Sequence, residues 1–80
     1  MGTFKDLVEN LVKPLLAYPE DYSCEETEED GFKVLNVTVR EADLGRVVGK
    51  SGHIAKAIRT ILYAKASKEG IKVRLNILSK

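Results

Sequence analysis

Two strand-like runs, separated by a helical pattern over residues 41–70, constrain this 80-residue chain more than any other feature. In each run apolar residues alternate with other residues, and a strand places successive side chains on opposite faces. A connection this long, with room for two helices, suits strands that lie parallel in one sheet. The sequence therefore predicts two parallel strands, each with one buried face: Leu35, Val37 and Val39 in the first, and Ile71, Val73, Leu75 and Ile77 in the second.

The residues before these runs predict a helix and an edge strand. Thr3 is a candidate N-cap for an apolar face at helical spacing, which predicts a first helix over residues 3–17. Pro14 either kinks this helix or opens a short second turn. Residues 22–28 are polar at most positions and predict a weak edge strand, and Glu29-Asp30-Gly31 predicts a hairpin into the next strand.

The residues between the two runs predict two helices around a turn. Asp43 is a candidate cap for a short helix over residues 44–48, and a longer helix runs from Gly52 to Lys68, where Gly70 ends it. The order α-β-β-α-α-β defines an α+β fold. We expect a three-stranded mixed sheet with all three helices on one face, in a single domain over residues 1–80.

The turn between these helices is a glycine-bracketed basic segment, Val47-Val48-Gly49-Lys50-Ser51-Gly52-His53. We refer to its residues 49–52 as the GKSG loop. Its glycines allow unusual backbone conformations and let the backbone of another molecule approach closely. The next helix directs free N–H groups and the positive end of its dipole into the loop, and Lys50 adds a charge. These features predict a phosphate site in which the amides of Ser51 and Gly52 are donors.

Charge is divided unevenly along the chain. The net charge is +1, but residues 1–43 carry a net −7 and residues 44–80 a net +8. Such a division predicts a side that faces a polyanion, unless the two halves simply neutralise each other across the fold. The single cysteine, Cys24, excludes an internal disulfide and fits a reducing compartment. With no apolar run long enough for a membrane span and no signal-peptide pattern, we expect a cytoplasmic protein without membrane contact.

The sequence contains no complete motif of a catalytic site. Gly49-Lys50-Ser51 resembles the end of a P-loop, but that motif needs a glycine where Leu44 stands. One cysteine and one histidine, Cys24 and His53, cannot form a nucleophile–base pair or a metal site at these positions. We therefore expect no enzyme activity, no cofactor, no metal and no small-molecule substrate.

The basic turn in this setting resembles the Val-Ile-Gly-x-x-Gly core of the KH RNA-binding domain, and the element order is similar to the type II KH arrangement. With Leu44-Gly45-Arg46 before the loop and Ala57-Ile58-Arg59-Thr60-Ile61-Leu62-Tyr63 after it, the chain resembles the stand-alone KhpA family of small bacterial KH proteins. One position departs from the KH pattern, because Ala55 stands where a large aliphatic residue is expected. This departure predicts a shallower groove wall and bears on base preference.

The resemblance implies single-stranded RNA binding by the GKSG loop and an adjacent apolar groove, in a small RNA chaperone or regulator. The loop, the flanking groove positions and nearby basic residues give the predicted RNA contacts: Arg46, Val47, Val48, Gly49, Lys50, Ser51, Gly52, His53, Ile54, Lys56 and Arg59. The resemblance also implies a homodimer and a Jag-type KH partner (KhpB). The long helix carries an apolar arc of about 200°, wider than one sheet requires. The predicted dimer contacts there are Ile58, Ile61 and Leu62, and the alternative function is a dimerisation module with little RNA role.

Overall fold

The predicted order of helices and strands is confirmed in a computed structural model, which describes residues 3–80. Three 3-10 turns accompany the main elements, at Lys13–Leu15, Pro19–Asp21 and Lys50–Gly52. The helices and strands are α1 (Phe4–Val12), β1 (Ser23–Glu29), β2 (Phe32–Val39), α2 (Glu41–Val48), α3 (His53–Lys68) and β3 (Val73–Ser79).

The three strands form one sheet in the order β1-β2-β3. β1 and β2 pair antiparallel, while β2 and β3 pair parallel, with Leu35 opposite both Glu26 and Leu75. Asp30 and Gly31 form the two-residue hairpin turn, and their φ angles of 51° and 81° are both positive, as in a type I′ turn. The mixed sheet and its edge strand β1 therefore agree with the prediction.

The core lies between one face of the sheet and the three helices. Leu35, Val37 and Val39 of β2 are fully buried there, in one cluster with Phe4, Val8 and Val12 of α1, Val47 of α2, and Ile58, Leu62 and Ala66 of α3. The expectation that β2 buries only one face is wrong at Val34, which is buried on the other face. Thr27 and Arg74 flank it there as its partners on the neighbouring strands.

The first helix is shorter than predicted. Thr3 is its N-cap, because the Thr3 hydroxyl oxygen accepts a hydrogen bond from the Asp6 amide at 3.1 Å. The α-helix ends at Val12, and Pro14 lies inside the following 3-10 turn, where a residue without an amide hydrogen is tolerated. Of the two alternatives, a short second turn forms, but it begins at Lys13 rather than at Pro14.

Asp43 does not cap the second helix, so that prediction is wrong. It lies inside the first turn of α2 and is fully buried. Its two carboxylate oxygens accept hydrogen bonds from the amides of Ala17, at 3.0 Å, and Tyr18, at 2.9 Å. The Nε atom of Arg46 lies 3.5 Å from the same carboxylate. Asp43 thus fastens the segment that follows α1 to the helix that leads into the GKSG loop.

The long helix ends as predicted at a left-handed glycine. Gly70 has φ 72°, the Gly70 amide donates to the Ser67 carbonyl, and the Ile71 amide donates to the Ala66 carbonyl. These two bonds define a Schellman motif, which fixes the direction of the chain into β3. Within residues 3–80, no helix combines the length and the apolar character that a membrane crossing requires.

Candidate nucleic-acid interface

The GKSG loop connects α2 and α3 through three residues with positive φ. Gly49 ends α2 with φ 78° and ψ 176°, and its amide donates to the Gly45 carbonyl at 2.8 Å. Ser51 has φ 55°, and Gly52 adopts a left-handed conformation (φ 75°, ψ 12°) just before α3 begins. A backbone with this sequence of conformations turns sharply and holds Lys50 and Ser51 at its exposed tip.

The two glycines have different structural roles. A Cβ atom added to Gly49 would lie 2.5 Å from Cγ1 of Ile54, whereas a Cβ added to Gly52 would meet no atom within 4 Å. The missing side chain of Gly49 therefore leaves space for the side chain of Ile54. Gly52 leaves its space open to solvent, so only the second glycine offers the close approach that the sequence predicted for both.

The loop amides are partly used within the loop. The Gly52 amide donates to the Gly49 carbonyl at 3.2 Å, and the His53 amide donates to the Lys50 carbonyl. The prediction that the Gly52 amide is a free donor is therefore wrong, and Ser51 provides the candidate donor. No side chain caps the N-terminus of α3, so the positive end of its dipole faces the loop without a neutralising carboxylate.

The two lysines in and beside the loop have no acidic partner within the described residues. Lys50, His53 and Lys56 are exposed, and no acidic side chain of residues 3–80 pairs with either lysine. Arg46 pairs with the buried Asp43, yet 62% of its side chain remains exposed. The loop therefore has a positive potential that is available to an anion.

Arg59 connects the helix that follows the loop to the edge of the sheet. Its side chain is half-buried, and its Nε atom donates to the carbonyl of Leu75 on β3 at 3.4 Å. β3 is an edge strand, so this contact covers part of its open edge. Arg59 holds α3 against β3 and still presents part of a cationic group between them.

Three of the predicted contact residues belong to the core. Val47 is fully buried, and so are Ile58 (4% exposed) and Leu62 (0%). Val47 and Leu62 have no exposed surface and Ile58 has almost none, so the structure does not present these three side chains to RNA or to a second chain. Ala55 is buried as well, and its small side chain fits against the core rather than forming a groove wall. Val48 and Ile54 remain half-buried beside the loop, and Ile61 is 47% exposed.

A group of five exposed acidic residues lies along the edge of the sheet opposite β3. β1 and β3 form its two edges, and β1 with its hairpin carries the exposed acids Glu25, Glu26, Glu28, Glu29 and Asp30. Glu26 pairs with Lys33 at 3.5 Å. No group of side chains in residues 3–80 has the arrangement of a metal site. Burial raises the pKa of the Cys24 thiol, which keeps it protonated at neutral pH.

The chain is similar in sequence to a family of bacterial proteins over nearly its whole length. Residues 5–77 match a family model described as KhpA/KhpB, KH domain. RNA-binding protein KhpA of Listeria monocytogenes is 45% identical over 74 residues, which cover 92% of this chain and 97% of the relative. The proteins of the same name from Lactiplantibacillus plantarum and Chlamydia trachomatis are 39% and 35% identical, and the matches cover 96% and 92% of this chain and 91% and 95% of the relatives.

Solved structures with the same fold are more distant in sequence. A variant of Era from Aquifex aeolicus bound to GDP and aluminium fluoride superposes with a TM-score of 0.66 at 19% identity, covering 96% of this chain and 30% of that one. Era in complex with MgGDPNP and a segment of 16S ribosomal RNA gives a TM-score of 0.64 at 20% identity, with the same coverage. At these identities the likeness extends to the fold alone.

Proposed function

Because the chain belongs to the KhpA/KhpB family of KH-domain proteins, we propose that it binds single-stranded RNA through the GKSG loop. The fold is the α+β arrangement of a KH domain, with three helices and a three-stranded mixed sheet. Relatives that match over nearly their full length are named RNA-binding proteins. We treat residues 1–80 as one KH domain and propose that it acts in the cytoplasm as an RNA chaperone or regulator, without catalysis.

The observation that carries this proposal is the exposed, positive and sterically open tip of the loop. KH domains clamp the backbone of about four nucleotides with this loop. Here a phosphate oxygen approaches over Gly52, accepts a hydrogen bond from the Ser51 amide and lies near the Lys50 ammonium group. Phosphate contacts of this kind set the position of the strand without reading its sequence.

Other predicted residues extend the same surface. Arg46 and Lys56 place further positive charge around the loop, and His53 adds an exposed imidazole. Val48 and Ile54 offer a half-buried apolar surface for bases, and Arg59 lies where α3 meets β3. No aromatic side chain lies in the GKSG loop or β3. Stacking therefore contributes little at the loop, and we expect electrostatically dominated, salt-dependent binding, on the order of micromolar.

A charge-reversal variant tests the proposal. Lys50→Asp combined with Ser51→Asp introduces two carboxylates at the loop tip, and we expect it to abolish binding of a labelled single-stranded RNA in fluorescence anisotropy. The matched control is Lys5→Asp with Asn10→Asp, which makes the same change in net charge at two exposed positions of α1. Equal affinities for both variants, with folding confirmed by circular dichroism, would refute the proposal.

A second function concerns association between chains. Ile61 is a large apolar side chain with 47% exposure on α3, and this exposure favours the predicted homodimer or the contact with a Jag-type KH partner. Ile61 stands one turn before Lys65, whose Nζ lies 5.9 Å from the ring of Phe4. The proposed contact therefore lies on the α1 side of α3. Sedimentation should show a dimer that Ile61→Glu dissociates, and a wild-type monomer at high concentration would exclude homodimerisation.

A further inference from the structure

A pocket of about 410 Å³ lies at the opposite end of α3 from the GKSG loop, and we refer to it as the far pocket. Residues of the Schellman motif around Gly70 contribute to its lining, and backbone hydrogen bonds hold that part of the pocket in place. Tyr63 on one wall is 38% exposed. The residues that line the far pocket include Phe32, Tyr63, Ala66, Gly70, Ile71 and Lys72.

The charges around the far pocket favour an anionic ligand. The guanidinium carbon of Arg74 lies 4.6 Å from the centroid of the Phe32 ring, and the Nζ atom of Lys72 lies 5.7 Å from it. Glu29 is opposite Phe32 in the strand register, but on the β1 side, away from β3. Glu69 is drawn toward Lys65, at 3.9 Å. Aromatic rings beside cations are the combination with which proteins bind single-stranded nucleic acids.

The far pocket is connected to the loop by one side of α3. Arg59, Tyr63 and Ser67 follow one another at intervals of four residues, so they lie on the same side of the helix. Arg59 contacts β3 near the loop end, and Tyr63 and Ser67 line the far pocket. The 16-residue helix is about 24 Å long. A ligand that reaches both ends must therefore be an extended polymer.

We propose that the far pocket holds a base of an RNA strand that continues beyond the nucleotides held by the GKSG loop. This inference rests on the proposed function and adds a second contact to it. The base stacks on Tyr63 or Phe32, and the adjoining phosphates lie toward Lys72 and Arg74. The C-terminal end of α3 is the negative end of its dipole and disfavours a phosphate in the pocket itself. An uncharged base fits that position.

The contact is distinguishable from the loop by the length of the RNA. Labelled oligoadenylates of four and ten nucleotides separate the two sites, because the loop accounts for about four nucleotides. Tyr63→Ala should weaken binding of the decanucleotide roughly fivefold or more and leave that of the tetranucleotide unchanged. The matched control is Tyr18→Ala, which removes a tyrosine of nearly equal exposure, 37%, and should change neither affinity.

A second variant tests the contribution of positive charge beside the far pocket. Lys72→Gln should also weaken binding of the decanucleotide alone, whereas Lys5→Gln, an exposed lysine of α1, should not. Unchanged decanucleotide binding by both pocket variants, with loss of binding by the double loop variant, would overturn the far pocket and leave the proposed function intact. Equal weakening of both RNA lengths, or a change in sedimentation without a change in RNA affinity, would also overturn it. A wild-type protein that binds neither oligonucleotide would overturn both proposals.

Discussion

At the scale of single residues, the GKSG loop combines two glycines whose constraints differ. Gly49 combines φ 78° with ψ 176°, a region that is essentially restricted to glycine, and its missing side chain accommodates Ile54. Gly52 is left-handed but faces open space. The first glycine is thus needed for folding, and the second is free to serve binding.

Alanine substitutions should separate these roles. We expect Gly52→Ala to cost about 1 kcal/mol of unfolding free energy, the cost of a left-handed alanine. Gly49→Ala should cost more, about 3 kcal/mol, because a steric conflict with Ile54 is added to the backbone strain. Urea denaturation measures both.

The Ile54 contact provides its own control. Adding Ile54→Ala to Gly49→Ala removes two of the three atoms that the new Cβ meets, Cγ1 and Cδ1, and leaves only the Cβ of residue 54 at 2.8 Å. The combined cost should therefore be smaller than the sum of the two single costs. Additive costs would show that Cγ1 and Cδ1 of Ile54 do not contribute to the requirement for glycine at position 49.

At the scale of elements, Asp43 joins parts of the fold that are distant in sequence. Its carboxylate accepts from the amides of Ala17 and Tyr18 and lies beside Arg46. The segment after α1 and the helix before the GKSG loop are thereby held together. A loop that binds RNA requires such a fixed base, since a displaced α2 would move its glycines.

Removing this carboxylate should destabilise the domain. Asp43→Ala leaves two amides without their partner, and we expect a loss of about 1–3 kcal/mol in unfolding free energy. Glu41→Ala is the matched control, because it removes an exposed acid from the same first turn of α2 and should change stability by less than about 0.5 kcal/mol. Equal losses in thermal or urea unfolding would assign the effect of Asp43 to the helix dipole alone.

At the scale of the whole molecule, the two edges of the sheet carry opposite charge. Five exposed acids line β1 and its hairpin, while the GKSG loop, α3 and β3 together carry six of the 13 Lys and Arg residues and no acidic residue. The uneven charge along the sequence therefore becomes an uneven charge in space. Around the loop Arg46 pairs with Asp43, but no acidic side chain of residues 3–80 pairs with Lys50 or Lys56.

This distribution predicts a measurable salt dependence. RNA affinity should fall linearly with salt on a logarithmic scale, with a slope of about −0.7 for each phosphate neutralised. Lys50→Gln should reduce that slope by about 0.7, and Lys5→Gln should leave it unchanged. Anisotropy titrations over a range of potassium chloride concentrations measure the slope, and a wild-type affinity insensitive to salt would contradict the electrostatic account.

The sequence predicts elements well where one pattern dominates. The alternation in β2 and β3 and the glycines around α3 reflect local geometry, and the KH-like order of elements follows from them. The end of α1 was predicted less well, because apolar spacing continues past the last α-helical residue, Val12, into the 3-10 turn.

Contacts between distant residues could not be predicted in this way. Asp is a residue type that often caps helices, and nothing in the local sequence indicates that the hydrogen-bond donors to Asp43 lie 25 and 26 residues away. The apolar arc of α3 is likewise wider than the sheet requires, and the sequence does not indicate which of its residues pack against the sheet. As a result Ile58 and Leu62 were predicted to be dimer contacts together with Ile61, although only Ile61 is exposed.

The opposed edges have a consequence for how the protein meets its ligand. With a net charge of only +1, the molecule as a whole is barely attracted to a polyanion, but its separated charges experience a torque in the field of one. This torque turns the protein before contact, so that a large share of its collisions with the polyanion begin with the basic side facing it. Added electrolyte should slow association for this reason while changing the lifetime of the complex less.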